Sequence, residues 1–419
     1  MKFRITLSRQ IDNLQITVEP FGSTIYNQNC TDLISTQIVE DFTTTHYYFR
    51  WLAEIFSEMS SELDSSSLKL SCPFSDTKRD ELIFKINTTA SPERYGRVGK
   101  NYIDLIGKTP LLQLSSLNKG LGATVLVKLE CMEPNSVKDR PVYGIVSEAI
   151  KRGEITDKTE VVEASSGNVA FALSAILKTL LNKKPKIFIS KMHGESKIKA
   201  VRISGCPVFL TNAEQGTRGA KAASVEFAEN QDNTFQLNQH GNPDNPRIHR
   251  LTTGPELYHQ THLLTGQAPS EFVTGVGSGG TAIGIALFRD DIKAGFKVIG
   301  VEPEEASLLS GGIFQAHRFS GIAPGFITGI VEKNRDKIDF IEKMNAEEGF
   351  EICRRMLVEE GFMIGATSGA SIAAAIRRAK LPENKGKVIV TIAHDRGDRY
   401  IDIPDLFIPP EDAFEKDIS

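Results

Sequence analysis

Three segments carry residue types and spacings that chemistry needs. The run Gly275-Val-Gly-Ser-Gly-Gly-Thr281 follows the apolar stretch Glu271–Thr274 and precedes a helical one. Glycines there let successive backbone N–H groups converge on an anion, and the positive end of the next helix adds to the attraction, so a phosphate is the natural guest. Gly275, Gly277 and Gly280 also satisfy G-x-G-x-x-G, and Glu302 closes the strand candidate Lys297–Val301, where a ribose-binding acid would stand. On this segment alone a dinucleotide, another phosphorylated ligand and a structural tight turn all remain open. A second loop, Glu163-Ala-Ser-Ser-Gly-Asn168, lies between a strand and a helix and offers hydroxyls, an amide and free N–H groups at one helix mouth. In the third, Lys138 follows a Pro-Asn turn and opens a helix. The helix dipole opposes an ammonium there, which favours the neutral amine a Schiff base needs; the plain alternative is an exposed lysine paired with Asp139 or Glu133.

These segments need a frame of strands and helices. From about residue 100, apolar runs alternate with helical ones: Thr124–Leu129 with a helix near Tyr143–Arg152, Glu160–Glu163 with Gly167–Leu180, and Lys186–Ser190 with Lys197–Ile203. The rhythm continues through Phe272–Gly275, Thr281–Phe288, Val298–Val301, Asn345–Glu360, Ala370–Lys380 and Val388–Ile392. Strands apolar throughout predict parallel sheets covered on both faces, here in two α/β lobes, with ligands at the carboxyl ends of the strands. Residues 1–95 have another texture, a small α+β module: strand candidates Phe3–Leu7, Leu14–Val18, Leu68–Ser71 and Glu81–Ile86, and a helix near Phe42–Met59. A Ser-rich stretch, Ser60–Ser67, interrupts it, and Thr88–Val98 reads as a linker to a catalytic region at 96–410; residues 411–419 form an acidic tail. Trp51 with Tyr47, Tyr48 and Phe49 reads as a small core or docking face.

Composition sets the outer bounds. A chain of 419 residues corresponds to about three domains. A net charge of −4 gives no reason to expect nucleic acid or a membrane surface, and neither a long apolar span nor a secretory leader is visible, so a cytoplasmic location is expected. Cys30, Cys72, Cys131, Cys206 and Cys353 are scattered singly, which suits small buried hydrophobes rather than disulfides or a zinc site. His259 and His262, three apart on a probable helix, lack further ligands at metal spacing, so no metal is expected.

Taken in order, Leu105-Ile-Gly-Lys-Thr-Pro-Leu111, Ser136-Val-Lys-Asp-Arg140, Ser165-Ser-Gly-Asn168, Thr253-Gly-Pro-Glu256, Gly275–Thr281, Gly325-Phe326 and Gly365-Ala-Thr-Ser-Gly369 resemble a known family. It is the pyridoxal-phosphate-dependent cysteine synthase and cystathionine β-synthase group, of the tryptophan-synthase-β fold (fold type II). The resemblance covers about residues 100–405 and displaces the dinucleotide reading. It implies that Lys138 forms the Schiff base with pyridoxal 5'-phosphate and later moves the α-proton. Asn168 would meet the cofactor's ring oxygen, Gly277, Ser278, Gly279, Gly280 and Thr281 its phosphate, and Thr367 its pyridine nitrogen. A neutral hydroxyl does not hold that nitrogen protonated, which favours β-elimination over transamination. Ser165, Ser166 and Gly167 would hold the substrate carboxylate, and Gln239 and His240 would also line the substrate. The implied reaction is β-replacement on an O-activated L-serine through an aminoacrylate, as in cysteine synthase, with O-acetylserine and sulfide. The implied partners are small amino acids and a second copy of the chain in a homodimer.

Four departures bear on the substrate. Val169 stands where the family usually has a carboxylate-holding threonine, and the loop Pro134-Asn-Ser-Val137 is one residue short. His240 stands where a phenyl ring is common, either as a proton carrier or as a ring of similar size. Lys138-Asp-Arg-Pro141 and Asp395-Arg-Gly-Asp-Arg-Tyr400 look more like the branch that joins O-phospho-L-serine to an amino acid amine, making precursors of 2,3-diaminopropionate. Lys191, Lys197 and Arg396 are the candidate partners for a phosphate leaving group, the alternative for each being an ordinary surface charge. Serine-plus-homocysteine chemistry and a non-catalytic protein of the same fold complete the alternatives.

Overall fold

The computed structural model describes residues 99–408 and, before them, the backbone of five strands. The chain divides into two compact units, Met1–Val98 with Asp290–Ala294, and Gly99–Arg289 with Gly295–Ser419. In the first, β1 (Phe3–Gln10), β2 (Asn13–Pro20), β3 (Asp32–Val39), β4 (Ser67–Ser71) and β5 (Leu82–Lys85) form one sheet in the order β3-β1-β2-β4-β5. All four strand candidates there are strands, and β3 is an addition. The expected helix near Phe42–Met59, the aromatic group around Trp51, most of the Ser-rich stretch, the linker and the 411–419 tail lie outside the described residues.

The second unit runs β6 (Leu111–Gln113), β7 (Thr124–Lys128), α1 (Asp139–Lys151), β8 (Glu160–Ala164), α2 (Asn168–Leu181), β9 (Lys186–Ser190) and α3 (Gly194–Ile203). It continues with β10 (Val208–Thr211), α4 (Gly216–Glu229), β11 (Thr234–Gln236), α5 (Asp244–Leu251), α6 (Thr253–Thr265), β12 (Glu271–Gly275), α7 (Gly280–Asp291) and β13 (Lys297–Pro303). Last come α8 (Gly329–Lys333), β14 (Phe340–Met344), α9 (Ala346–Glu360), α10 (Ala366–Ala379) and β15 (Val388–Ile392).

These strands build two sheets. One is four-stranded and parallel in the order β10-β9-β8-β11; the other is six-stranded in the order β14-β13-β12-β15-β7-β6, with the short edge strand β6 antiparallel. Strand β7 precedes β8 in the chain yet pairs with β15 in the larger sheet, so the lobes are not a simple first half and second half. All five residues of β15 are buried, as a central strand covered on both faces demands. Its Val and Ile side chains each contribute about 1.5–3 kcal/mol by leaving water. The small-residue helix α10 lies against this sheet and belongs to the larger apolar core with Val125, Ile299 and Ile389. A second core under the smaller sheet gathers Val161, Leu173, Ile176 and Ile187.

The loops that carry the candidate residues follow the carboxyl ends of four parallel strands. The Lys138 loop follows β7, the Ser165–Asn168 loop β8, the glycine loop β12, and His394–Asp395 follows β15. That is where open α/β sheets bind ligands, because helix N-termini and free N–H groups collect there.

Candidate active site

Lys138 is the residue just before α1. Its backbone N–H donates to Ser136 Oγ at 3.2 Å, and the preceding Val137 N–H donates to the carbonyl of His394 at 2.8 Å, tying this loop to the end of β15. Burial pushes the Lys138 amine below its ordinary value, while the carboxylate of Asp395 pulls the other way. Among the described residues no carboxylate lies within ion-pair distance of Nζ. A half-buried lysine without a salt bridge is held ready as a nucleophilic amine.

What anchors α1 is a buried charge cluster. Arg140 bonds Glu130 at 2.7 Å, Glu133 at 3.1 Å and Glu256 at 2.7 Å, and Lys128 meets Glu256 at 2.9 Å. Burial, with Glu130 and Asp139 close by, pushes the Glu133 carboxyl up to about 8, whereas Arg140 and Lys128 hold Glu256 well below the usual carboxylate range despite its burial. The motif Thr253-Gly-Pro-Glu256 therefore has a structural task. Glu256 clamps the helix that follows Lys138, and Thr253 Oγ1 meets His249 Nδ1 at 2.9 Å, whose Nε2 lies 3.3 Å from Thr281 Oγ1 at the glycine loop.

The glycine loop is tight enough to require its glycines. A Cβ on Gly277 would lie 2.3 Å from the carbonyl oxygen of Gly321, and Gly279 has φ of +86°. Asn245 Nδ2 braces the loop, donating to Ser278 Oγ at 3.1 Å and to the carbonyl of Gln239 at 2.7 Å, and Thr328 Oγ1 donates to the Ser278 carbonyl at 2.8 Å. The first turn of α7 leaves its N–H groups without helical acceptors at this mouth. A cradle of backbone donors that excludes side chains suits a phosphate, and with the half-buried amine of Lys138 nearby in the fold the residues fit pyridoxal phosphate.

Ser165 Oγ accepts the N–H groups of Gly167 and Ala170, both at 3.2 Å, so it caps α2 and keeps its own hydroxyl proton to donate. Asn168 opens α2 with its side chain on the loop after β15: Nδ2 donates to Asp395 Oδ2 at 2.8 Å. Thr367 is buried at the start of α10 and donates to the carbonyl of Ser320. Gln239 and His240 share one loop, and His240 stacks edge-on to Phe326 with ring centroids 5.4 Å apart. Burial, helped by Lys221 and Lys138, pushes His240 down to about 3, so this imidazole is neutral near pH 7 and has no proton to spare as an acid.

Several expectations change on this geometry. Val169 lies in the apolar core beneath the smaller sheet. Glu302 is buried and fully engaged, accepting the N–H groups of Leu309 at 2.8 Å and Ser310 at 3.0 Å, so it holds a loop and cannot serve a ribose. Lys191 is exposed, and Arg396 pairs with Asp398 at 3.2 Å. Lys197 alone of the three candidate cations reaches inward, with Nζ 3.5 Å from Ser320 Oγ, and burial lowers its pKa while Asp395 opposes that shift. Sequence reasoning gave no site role to Asp395, Tyr400 or Arg399 individually. Their signal was a charged run that begins three residues after the wholly buried β15.

Known proteins match this geometry. Residues 102–395 match the family described as pyridoxal-phosphate-dependent enzymes. A cysteine synthase of Staphylococcus aureus is 33% identical over 305 residues, 73% of this chain and 96% of that protein. Among solved structures, cysteine synthase of Entamoeba histolytica superposes with a TM-score of 0.70 at 33% identity, covering 77% of this chain and 95% of that one. The O-acetylserine-dependent cystathionine β-synthase of Helicobacter pylori gives 0.65 at 33% identity, covering 73% and 97%. No helix among the described residues is long and apolar enough to cross a membrane.

Proposed function

The chain belongs to the pyridoxal-phosphate-dependent cysteine synthase and cystathionine β-synthase family, and from that premise we propose that it makes L-cysteine from O-acetyl-L-serine and sulfide. Pyridoxal phosphate, when bound, supplies an aldehyde that captures an amine and a ring that withdraws electrons from the α-carbon. The chain's residues do the rest. The N–H groups of Gly277, Ser278, Gly279 and Gly280 with the Thr281 hydroxyl would hold the phosphate, Asn168 would meet the ring oxygen, and Thr367 would meet the ring nitrogen as a neutral partner. The Ser165 and Ser166 hydroxyls and the Ser166 N–H would hold the substrate carboxylate beside Gly167, with Gln239 on a neighbouring loop. Lys138 Nζ would hold the cofactor's aldehyde, and the same amine would serve as the base for the substrate's α-proton. The Cβ–O bond breaks and acetate departs; the sulfur of sulfide then bonds Cβ, and Cα regains a proton.

One observation carries this reading: a half-buried lysine in the loop beyond the carboxyl end of β7 whose amine has no salt bridge among the described residues and is disfavoured as an ammonium by desolvation. The test is L-cysteine formation from O-acetylserine and sulfide, followed by mass spectrometry. Saturable turnover is expected, and no turnover with a cofactor-loaded protein contradicts it.

A second reading has its own observation. Lys197 brings a partly buried ammonium toward the Ser320–Thr367 side of the site, with no carboxylate among the described residues within ion-pair distance. Such a charge suits a phosphate leaving group, and so O-phospho-L-serine with an amino acid amine as nucleophile. Offering both activated serines with sulfide and with glutamate in one experiment separates the readings by the mass of the product.

A further inference from the structure

Asp395 is a buried carboxylate at the site that the roles above do not use. It lies just beyond β15, and its Oδ1 has no hydrogen-bond donor among the described residues. Its Oδ2 accepts from Tyr400 Oη and from Asn168 Nδ2, the latter at 2.8 Å. The other end of the same amide is also taken: Arg399 Nη1 donates to Asn168 Oδ1 at 2.6 Å, and this guanidinium lies 5.2 Å from the centre of the Phe171 ring. An ionised carboxylate only accepts and a guanidinium only donates. The two neighbours therefore permit one of the two amide orientations and exclude its flip. The second N–H of Asn168 points to Tyr400 Oη at a longer 3.2 Å, a contact weak enough to yield to a better acceptor.

We propose that Asp395 and Arg399 are positioning residues that lock the Asn168 side chain with its NH2 group presented to an acceptor on the bound cofactor. The lock rests on the seat assigned above to Asn168 at the cofactor's ring oxygen. It explains why a carboxylate is kept in a buried place that raises its pKa, since Tyr400, Asn168, Arg399 and Lys138 all favour its charged form there. Lys197, Cys131 and Cys353 also feel the Asp395 charge. A purely electrostatic role, in which Asp395 serves only as counter-charge to Lys138, is the alternative to separate.

The experiment measures the dissociation constant of pyridoxal phosphate by titrating the cofactor-free protein and its variants. Asp395→Asn keeps an acceptor for Asn168 but removes the charge, whereas Asp395→Ala removes both. The lock predicts that Asp395→Asn binds within about threefold of the parent and Asp395→Ala about tenfold or more weakly. Arg399→Met removes the other half from an exposed position that folding tolerates, and is expected to weaken binding severalfold. In the cofactor-free protein the side-chain NH2 protons of Asn168 should exchange with solvent faster in Asp395→Ala than in Asp395→Asn. Equal losses in Asp395→Asn and Asp395→Ala would assign the effect to charge and overturn the lock. Parent-like binding in Arg399→Met also overturns it, and that variant decides the matter if Asp395→Ala does not fold. Asn168→Ala serves as the control: parent-like binding there removes the seat itself, a failure distinct from that of the lock.

Discussion

Arg140 and Glu256, far apart in the chain, meet through two parallel hydrogen bonds, Nη1 to Oε1 at 2.8 Å and Nη2 to Oε2 at 2.7 Å. This pair joins α6 to the helix that starts beside Lys138, and it sits in a cluster with Lys128, Glu130 and Glu133. Removing one partner strands the other charges away from water. Glu256→Gln is expected to lose about 3–5 kcal/mol of stability, read as a lower urea midpoint, and to loosen the cofactor by shifting α1. A midpoint equal to that of the parent would mean that the cluster carries no structural weight.

Gly277→Ala places a methyl group 2.3 Å from the Gly321 carbonyl oxygen, which is backbone and cannot rotate aside. The loop must open. A stability loss of about 1–3 kcal/mol is expected, with a markedly larger dissociation constant for pyridoxal phosphate and little change for inorganic ions elsewhere. Isothermal titration of the cofactor-free variant checks this.

The pH dependence has a named contributor. Burial pushes the Glu163 carboxyl up to about 7 from an ordinary 4.5, against the pull of the backbone N–H groups of Gln239, Ala164 and Asn238 and of Lys221. Between those values the folded chain keeps this proton and the unfolded chain releases it. The contribution to stability is therefore full below about 4.5 and is lost as pH rises through about 7. Thermal melting of Glu163→Gln across that window should fall less with rising pH than the parent does; parallel curves would contradict the assignment.

Lys197→Met separates the two leaving groups. If the ammonium meets a phosphate, the apparent affinity for O-phosphoserine drops about tenfold while that for O-acetylserine stays within about twofold, measured by the change in visible absorbance on adding each. Equal changes for both substrates would place Lys197 outside leaving-group recognition.

How far the sequence carried the account varies by element. Strands β9 and β15 stand at the expected Lys186–Ser190 and Val388–Ile392, because apolar runs between polar turns have few other places to go. Helix α5 was missed: Asp-Asn-Pro-Arg-Ile-His-Arg-Leu carries a proline near its start and almost no apolar stripe, and it reads as a turn. Helix α4 was missed because Gly216, Gly219 and four alanines dilute its periodicity. The placement of β7 in the larger sheet depends on pairing with β15, distant in sequence, and no local pattern encodes it. The same divide runs through the site. The glycine loop was legible because its chemistry is local. The Asn168–Asp395–Arg399 contacts and the Arg140–Glu256 pair were not, since each joins residues more than a hundred positions apart.

The central claim is that Lys138 carries the cofactor, and reductive trapping tests it most directly. The loaded protein is treated with borohydride, digested, and its peptides are weighed by mass spectrometry. The account predicts a phosphopyridoxyl group on Lys138 and a loss of visible absorbance in Lys138→Ala. A group fixed on Lys128 or Lys197 with Lys138 unmodified, or none fixed on the yellow protein, would contradict it.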